Sequence, residues 1–266
     1  MEDMIPQEMK GPKLGPFRGN IDNIEFIKML GPDERKLEEG DVPHARVFLV
    51  RINGRKYVIK IFNFFSIVDL RPFPYGAEEL LTNRVVRYQM DPFYAECRAF
   101  GLLVEKKQDD LLAVRCHGYA FLPAAIEHLI EARFGNKFAI KDWNREPSDK
   151  GSPLRAIIKD YIPSKSPYGR RKLSVIKSNI EKMNELGIFN MDICRRNLLG
   201  GRLFDFSIAI TSPHIHLSTR LRETESIDVT VGYDRACFRE MEEHELKRRA
   251  SSRAAYRAKL RRGSCE

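Results

Sequence analysis

The sequence predicts an α+β fold, with a small antiparallel sheet in its first part and a mostly helical second part. Three observations carry that reading. Residues 47–52 and 55–62 are rich in β-branched and aromatic side chains and flank Asn53-Gly54, the pair that a type I′ hairpin turn prefers. Asp91-Pro92 supplies an N-cap and a first-turn proline for a helix reaching Leu103. Leu173, Ile176, Ile180 and Met183 recur at steps of three and four, the stripe of an amphipathic helix that ends at Gly187.

The remaining elements come in chain order. Residues 1–20 hold Pro6, Gly11, Pro12, Gly15, Pro16 and Gly19, which favour turns over packing, so a disordered lead-in is expected. A short strand is expected over 24–30, then a polar loop with Gly40 and Pro43 before the hairpin. Residues 77–88 read as a helix, and 111–115 and 154–162 as strands. Between those strands lies a polar insert with a helix near Ile126 and the single tryptophan, Trp143. After Gly187, residues 198–199 and 202–204 form a tight hairpin about Gly200-Gly201. In the next loop His214 and His216 read as solvated rather than metal-bound, because no third ligand is placed near them. A charged helix over about 236–260 closes the chain, giving a body of 21–235 and a tail of 236–266.

Composition limits the function classes. Of 266 residues, 42% are apolar and 31% charged, which excludes wholesale disorder and collagen-like repetition. Lys and Arg number 46 against 37 Asp and Glu, yet residues 246–265 alone hold eight basic side chains and no acid. The body is therefore nearly neutral, and contact with an acidic protein surface or a nucleic-acid backbone is expected only of this tail. Five scattered cysteines without a C-x-x-C pair read as reduced thiols, not a zinc site or a disulfide framework. With no signal-like start and no apolar run of about 18 residues, no membrane association is expected, and the place is the nucleus or cytoplasm.

Polar residues in apolar settings mark the candidate chemistry. Strand alternation puts Lys60 on the face of Val58 and Phe62, and helical spacing puts Glu96 in line with Phe93, Phe100 and Leu103. Burying either charge alone costs several kcal/mol, so the two are expected to pair. Asp192 and Asn197 stand five apart, and Asp205 comes after the tight hairpin; the amide and carboxylate oxygens of Asn197 and Asp205 suit Mg²⁺. All three are expected to converge on one cleft facing Lys60.

In this order the residues resemble the protein-kinase-like fold: a small N-terminal lobe (about 21–162) with a sheet and a reduced, mostly helical C-terminal lobe (about 163–235). The resemblance implies that Lys60 orients the phosphates of ATP and Glu96 positions Lys60. Asn197 and Asp205 would hold Mg²⁺, and Asp192 would position an acceptor hydroxyl. The phrases PFYAECRAFG, AVRCHGYAFLP, LRAIIKDYI and DICRRNLLGGRLFDFSIAITSPH further resemble a fungal family named after a subunit of a centromere-bound kinetochore complex. The expected function is binding of Mg·ATP with phosphoryl transfer to an unidentified acceptor. The alternative is a catalytically inactive scaffold, a pseudokinase subunit of a kinetochore or chromatin assembly with a protein partner. Departures from the kinase pattern favour the alternative. Only Gly40 stands where a glycine-rich loop is usual, Asn190-Met191 replaces His-Arg, Ser207 replaces glycine, and no Ala-Pro-Glu comes after it.

Overall fold

The computed structural model describes residues 11–37, 43–67, 81–163 and 166–263, with the side chains of the last helix described to Ser252. Strands β1 (Glu25–Met29), β2 (Ala45–Ile52), β3 (Arg55–Phe62), β4 (Cys116–Leu122) and β5 (Leu154–Asp160) form one antiparallel sheet in the order β1-β2-β3-β5-β4. The β2–β3 hairpin turns at Asn53 and Gly54 with positive φ at both, as a type I′ turn requires.

Alternation divides the sheet between two cores. Ile59 and Ile61 of β3 face Phe48, Val50 and Ile158, a cluster covered by the helix Ala124–Phe134 and by Trp143. The insert carrying Trp143 is pinned through Arg46, whose buried guanidinium lies 3.7 Å from the Phe138 ring centre and pairs with Glu34 at 2.6 Å. Lys60 and Phe62 point to the other face, where the helix Pro92–Glu105 packs. Its Phe93, Cys97, Phe100 and Leu103 are fully buried. At about 1.5–3 kcal/mol for each large apolar side chain, they outweigh the several kcal/mol needed to desolvate Glu96 on the same face.

We label the helices α1 (Asn83–Met90), α2 (Pro92–Glu105), α3 (Asp109–Leu112), α4 (Ala124–Phe134), α5 (Leu173–Glu185) and α6 (Thr224–Gly263). Short strands β6 (Ile188–Phe189) and β9 (Ile210–Thr211) pair with each other, as do β7 (Leu198–Leu199) and β8 (Arg202–Leu203) about the Gly200-Gly201 turn.

Five expectations are corrected. The helix expected over 77–88 begins at Asn83, capped by the Thr82 hydroxyl; residues 77–80 lie outside the described residues. The strand expected over 111–115 is displaced to Cys116–Leu122, with Asp109 and Asp110 opening a helical turn instead. The lead-in is docked over 11–20, with 1–10 outside the described residues: Leu14 is buried, and the Phe17 amide donates to the Tyr119 carbonyl at 2.7 Å. Gly118 permits this approach, since a Cβ there would lie 2.6 Å from the Phe17 nitrogen.

The last helix starts at Thr224 rather than at 236, and it packs against the body. Its buried stripe is Ile227, Thr230, Asp234, Phe238, Met241 and Glu245, so the helix is part of the packed body as far as Glu245. Glu245 is clamped by Arg248 at 2.7 Å and Arg249 at 2.7 Å, which draws both arginines back onto the body. Those bonds, Arg248 foremost, bring its carboxyl down to about 2.

His214 is buried rather than solvated, with Nε2 3.1 Å from the Gln89 carbonyl and its ring stacked on His216. Burial, reinforced by Arg98 and His216, depresses the His214 pKa well below its usual 6.5; burial and then Arg222 bring His216 to about 4. A histidine with a depressed folded pKa contributes stability above its unfolded pKa and loses it as pH falls. The urea midpoint is therefore expected to drop between pH 6.5 and 4, and His214→Gln to flatten that slope. An unchanged slope in the variant would reject the assignment.

Candidate functional site

Strand β3 aims Lys60 at α2, and the ammonium lies 2.9 Å from Glu96 Oε2 and 2.7 Å from Asp205 Oδ1. The pair expected from the two misfit charges is present and buried, with the Glu96 side chain fully shielded. A second lysine shares it. Lys159 of β5 pairs with Glu96 Oε1 and donates to the Phe204 carbonyl at 2.6 Å. Burial works against the Lys60 charge, but Asp205 and Glu96 more than compensate and raise its pKa.

Lys60 and the nearby Ser207 together fix Asp205. Its Oδ1 accepts from Lys60, from the Ser207 amide at 3.0 Å and from the Ser207 hydroxyl at 2.8 Å. Ser207, where the kinase pattern has glycine, thus holds the carboxylate from its own side chain. Burial pushes the Asp205 carboxyl up, yet Lys60, Lys159 and Ser207 hold it well below the usual range.

The loop after β6 carries Asp192 and Asn197, which are bonded directly: Asn197 Nδ2 donates to Asp192 Oδ2 at 2.8 Å and to the Asp192 carbonyl at 3.0 Å. Arg196 also reaches both Asp192 oxygens at 3.0 Å. Asn190 joins this group to Asp205, because its Nδ2 donates to the Asp205 carbonyl at 2.6 Å while its Oδ1 accepts from the Asp192 amide at 3.2 Å. The loop is tied in turn to α6. The Asp234 carboxylate accepts from the amides of Asn190 and Met191, both at 2.8 Å, and from Asn184 Nδ2 at 2.9 Å. That grip holds Met191 in the left-handed region at φ 67.

The sequence-predicted residues therefore fall into two bonded groups, Lys60–Glu96–Asp205 and Asp192–Asn197, bridged by Asn190. Sequence reasoning missed Lys159, Asn190 and Asp234. Lys159 gave the same signal as Lys60, a charge on the Ile157 face of an apolar strand.

For a divalent cation the fit is partial but chemically sound. Among the described residues no group of three or more His, Cys, Asp or Glu side chains is placed to hold a metal. Asp205 Oδ2 and Asn197 Oδ1 nevertheless receive no hydrogen bond from the described residues, and both are hard oxygen donors of the kind Mg²⁺ takes alongside bridging phosphates. Gly40, the only glycine near the expected phosphate loop, lies outside the described residues. No helix among the described residues is long and apolar enough to cross a membrane.

Residues 4–210 match the family model of the kinetochore Sim4 complex subunit FTA2, a range that spans the sheet, α1 to α5 and every residue of the two bonded groups. No curated protein matches the chain.

Proposed function

The chain belongs to the kinetochore Sim4 complex subunit FTA2 family, and from that membership we propose that it acts as a protein-binding subunit of a kinetochore assembly in the nucleus, built on a kinase-like core used as scaffold. The observation that carries the scaffold reading is the self-satisfaction of the charged groups. Lys60 is held by two of the protein's own carboxylates, and Asp192 is covered by Arg196 and Asn197. In this reading the buried ion pairs fix α2 against the sheet and the loop against α2. They act as a clamp between a small sheet-bearing lobe and a reduced helical one.

One observation favours a second reading, a Mg·ATP-dependent phosphotransferase. Asp205 Oδ2 and Asn197 Oδ1 would supply two metal donors, and a bound Mg²⁺ would offset phosphate charge. Lys60 would then turn from Asp205 toward a phosphate oxygen, with Glu96 retaining it, and Asp192 would orient an acceptor hydroxyl once Arg196 swung aside. Arg196 is largely exposed and costs little to move.

Two measurements separate the readings. Chromatin immunoprecipitation of the tagged protein is expected to enrich centromeric DNA, and an absence of enrichment would sink the kinetochore role. Thermal shift with millimolar Mg·ATP is expected to leave the melting temperature unchanged. Stabilisation approaching the roughly 2.7 kcal/mol reached at 100 times a dissociation constant, lost in Asp205→Ala, would instead establish the nucleotide site.

A further inference from the structure

A cavity of about 510 Å³ opens on the α6 side of Asp192, between the 192–196 loop and the middle of α6. Its floor is apolar, with Ile193 and Met241 buried there. On its wall stands Tyr168, only 7% exposed, whose phenol oxygen is buried without a hydrogen-bond partner among the described residues. An unpartnered buried hydroxyl costs about 1–3 kcal/mol, so this group is a donor waiting for an acceptor.

The charges around that hydroxyl specify the acceptor. Burial, then Glu245, raises the Tyr168 pKa and keeps the phenol protonated as a donor, while Arg195, Arg248 and Arg249 stand near it, Arg249 6.0 Å from the ring centre. Glu245 neutralises one of the three through its bonds to Arg248 and Arg249. Arg195 lines the cavity, is exposed, and makes no ion pair with any described residue. Of the other charged lining groups, Arg196 holds Asp192, and Glu240 lies out at the exposed rim, 3.8 Å from His244. A phenol hydroxyl, an exposed guanidinium without an ion pair among the described residues and a second arginine, Arg248, half-neutralised by Glu245, above an apolar floor match an oxyanion carried on a short apolar stem.

We propose that this cavity binds an acidic side chain of a partner polypeptide, a carboxylate or a phosphoserine, with Tyr168 and Arg195 as its donors. The proposal rests on the reading of the protein as a protein-binding subunit and names the chemistry its partner presents. Basic ligands are disfavoured by Arg195, and purely apolar ones would leave the Tyr168 hydroxyl orphaned.

The test is fluorescence anisotropy of the full-length protein with three labelled peptides of one apolar framework, bearing central glutamates, phosphoserines or lysines. Binding of an acidic peptide and not of the lysine peptide is expected, with a loss of about tenfold or more in Tyr168→Phe and in Arg195→Ala. Tyr168→Phe keeps the ring packed, and an unchanged circular-dichroism melt will confirm that the fold persists. Equal affinity for the first two peptides identifies a carboxylate partner, and tighter phosphoserine binding a phosphorylated one. Acidic-peptide binding that survives both substitutions belongs to the basic tail and overturns the proposal, as does failure of both acidic peptides to bind. Centromere enrichment is read separately, so its absence alongside Tyr168-dependent binding would reject the kinetochore role and leave the cavity assignment standing.

Discussion

Glu96→Ala is expected to lower the unfolding free energy by about 3–5 kcal/mol, the usual cost of removing one partner from a buried ion cluster. The carboxylate is fully shielded and serves Lys60 and Lys159, whose side chains are only 7% and 4% exposed. Without it, Lys60 retains Asp205, but Lys159 keeps, among the described residues, only the Phe204 carbonyl as a bonded partner. An apolar quadruple variant, Glu96→Leu with Lys60→Met, Lys159→Met and Asp205→Asn, is expected to recover most of the loss, since the carboxylate that Lys60 holds is neutralised with the rest and no charge of the cluster stays buried beside α2. Urea unfolding at pH 7 measures both. A loss below about 1 kcal/mol in Glu96→Ala would mean that water reaches the cluster, and the clamp would then lose its basis. The same cluster has an acid limb. Because the Asp205 carboxyl sits below its ordinary 3.8, its stabilising contribution is full above that pH and fades as pH falls below it.

Legibility in the sequence tracked how far each misfit was visible against its neighbours. Lys60 and Glu96 stood out because each breaks an apolar period, and the structure pairs them. Lys159 breaks one too, in the run Leu154–Asp160, yet a charge near a strand end reads as snorkelling until the strand's depth in the sheet is known. Strand β4 was misplaced because Gly118 and His117 interrupt it, and Gly118 is there for the lead-in that lies across it. The Pro- and Gly-rich composition of the lead-in hid Leu14 and Phe17, which help to dock it together with backbone bonds to Tyr119 and the Lys13–Glu105 ion pair. His214 looked solvated beside serines and a proline, but its depth comes from α1 and from Arg98 on α2, which are distant in sequence. In α6 the inward stripe alternates apolar residues with Thr230, Asp234 and Glu245, so no apolar period announced the first half of the helix. Those inward acids are spent on the body: Asp234 binds the loop before Asp192, and Glu245 gathers the arginines that flank Tyr168.

Asp234→Ala is expected to loosen the Asp192 loop and to cost about 2–4 kcal/mol, because it deprives two amides and one side-chain amide of their acceptor where water does not reach. Asp234 is 1% exposed, and burial raises its carboxyl pKa even though Asn184, Asn190 and Met191 all bind the charged form. Asp234→Asn preserves one oxygen and so should retain part of the stability, which separates the hydrogen bonds from the volume of the side chain. The loss should not be uniform. Met191 is held at φ 67 by these bonds, a conformation that a non-glycine residue abandons readily once released. Asn190 would then shift away from the Asp205 carbonyl, uncoupling the two bonded groups. Amide hydrogen exchange should accelerate at Asn190, Met191 and Asp192 well before it does in β3 or β5. If exchange instead rises equally across the sheet and the loop, Asp234 is a general packing residue. If the loop stays protected, the geometry of Asp192 is set by Asn197 and Arg196 alone, and α6 has no part in shaping the site.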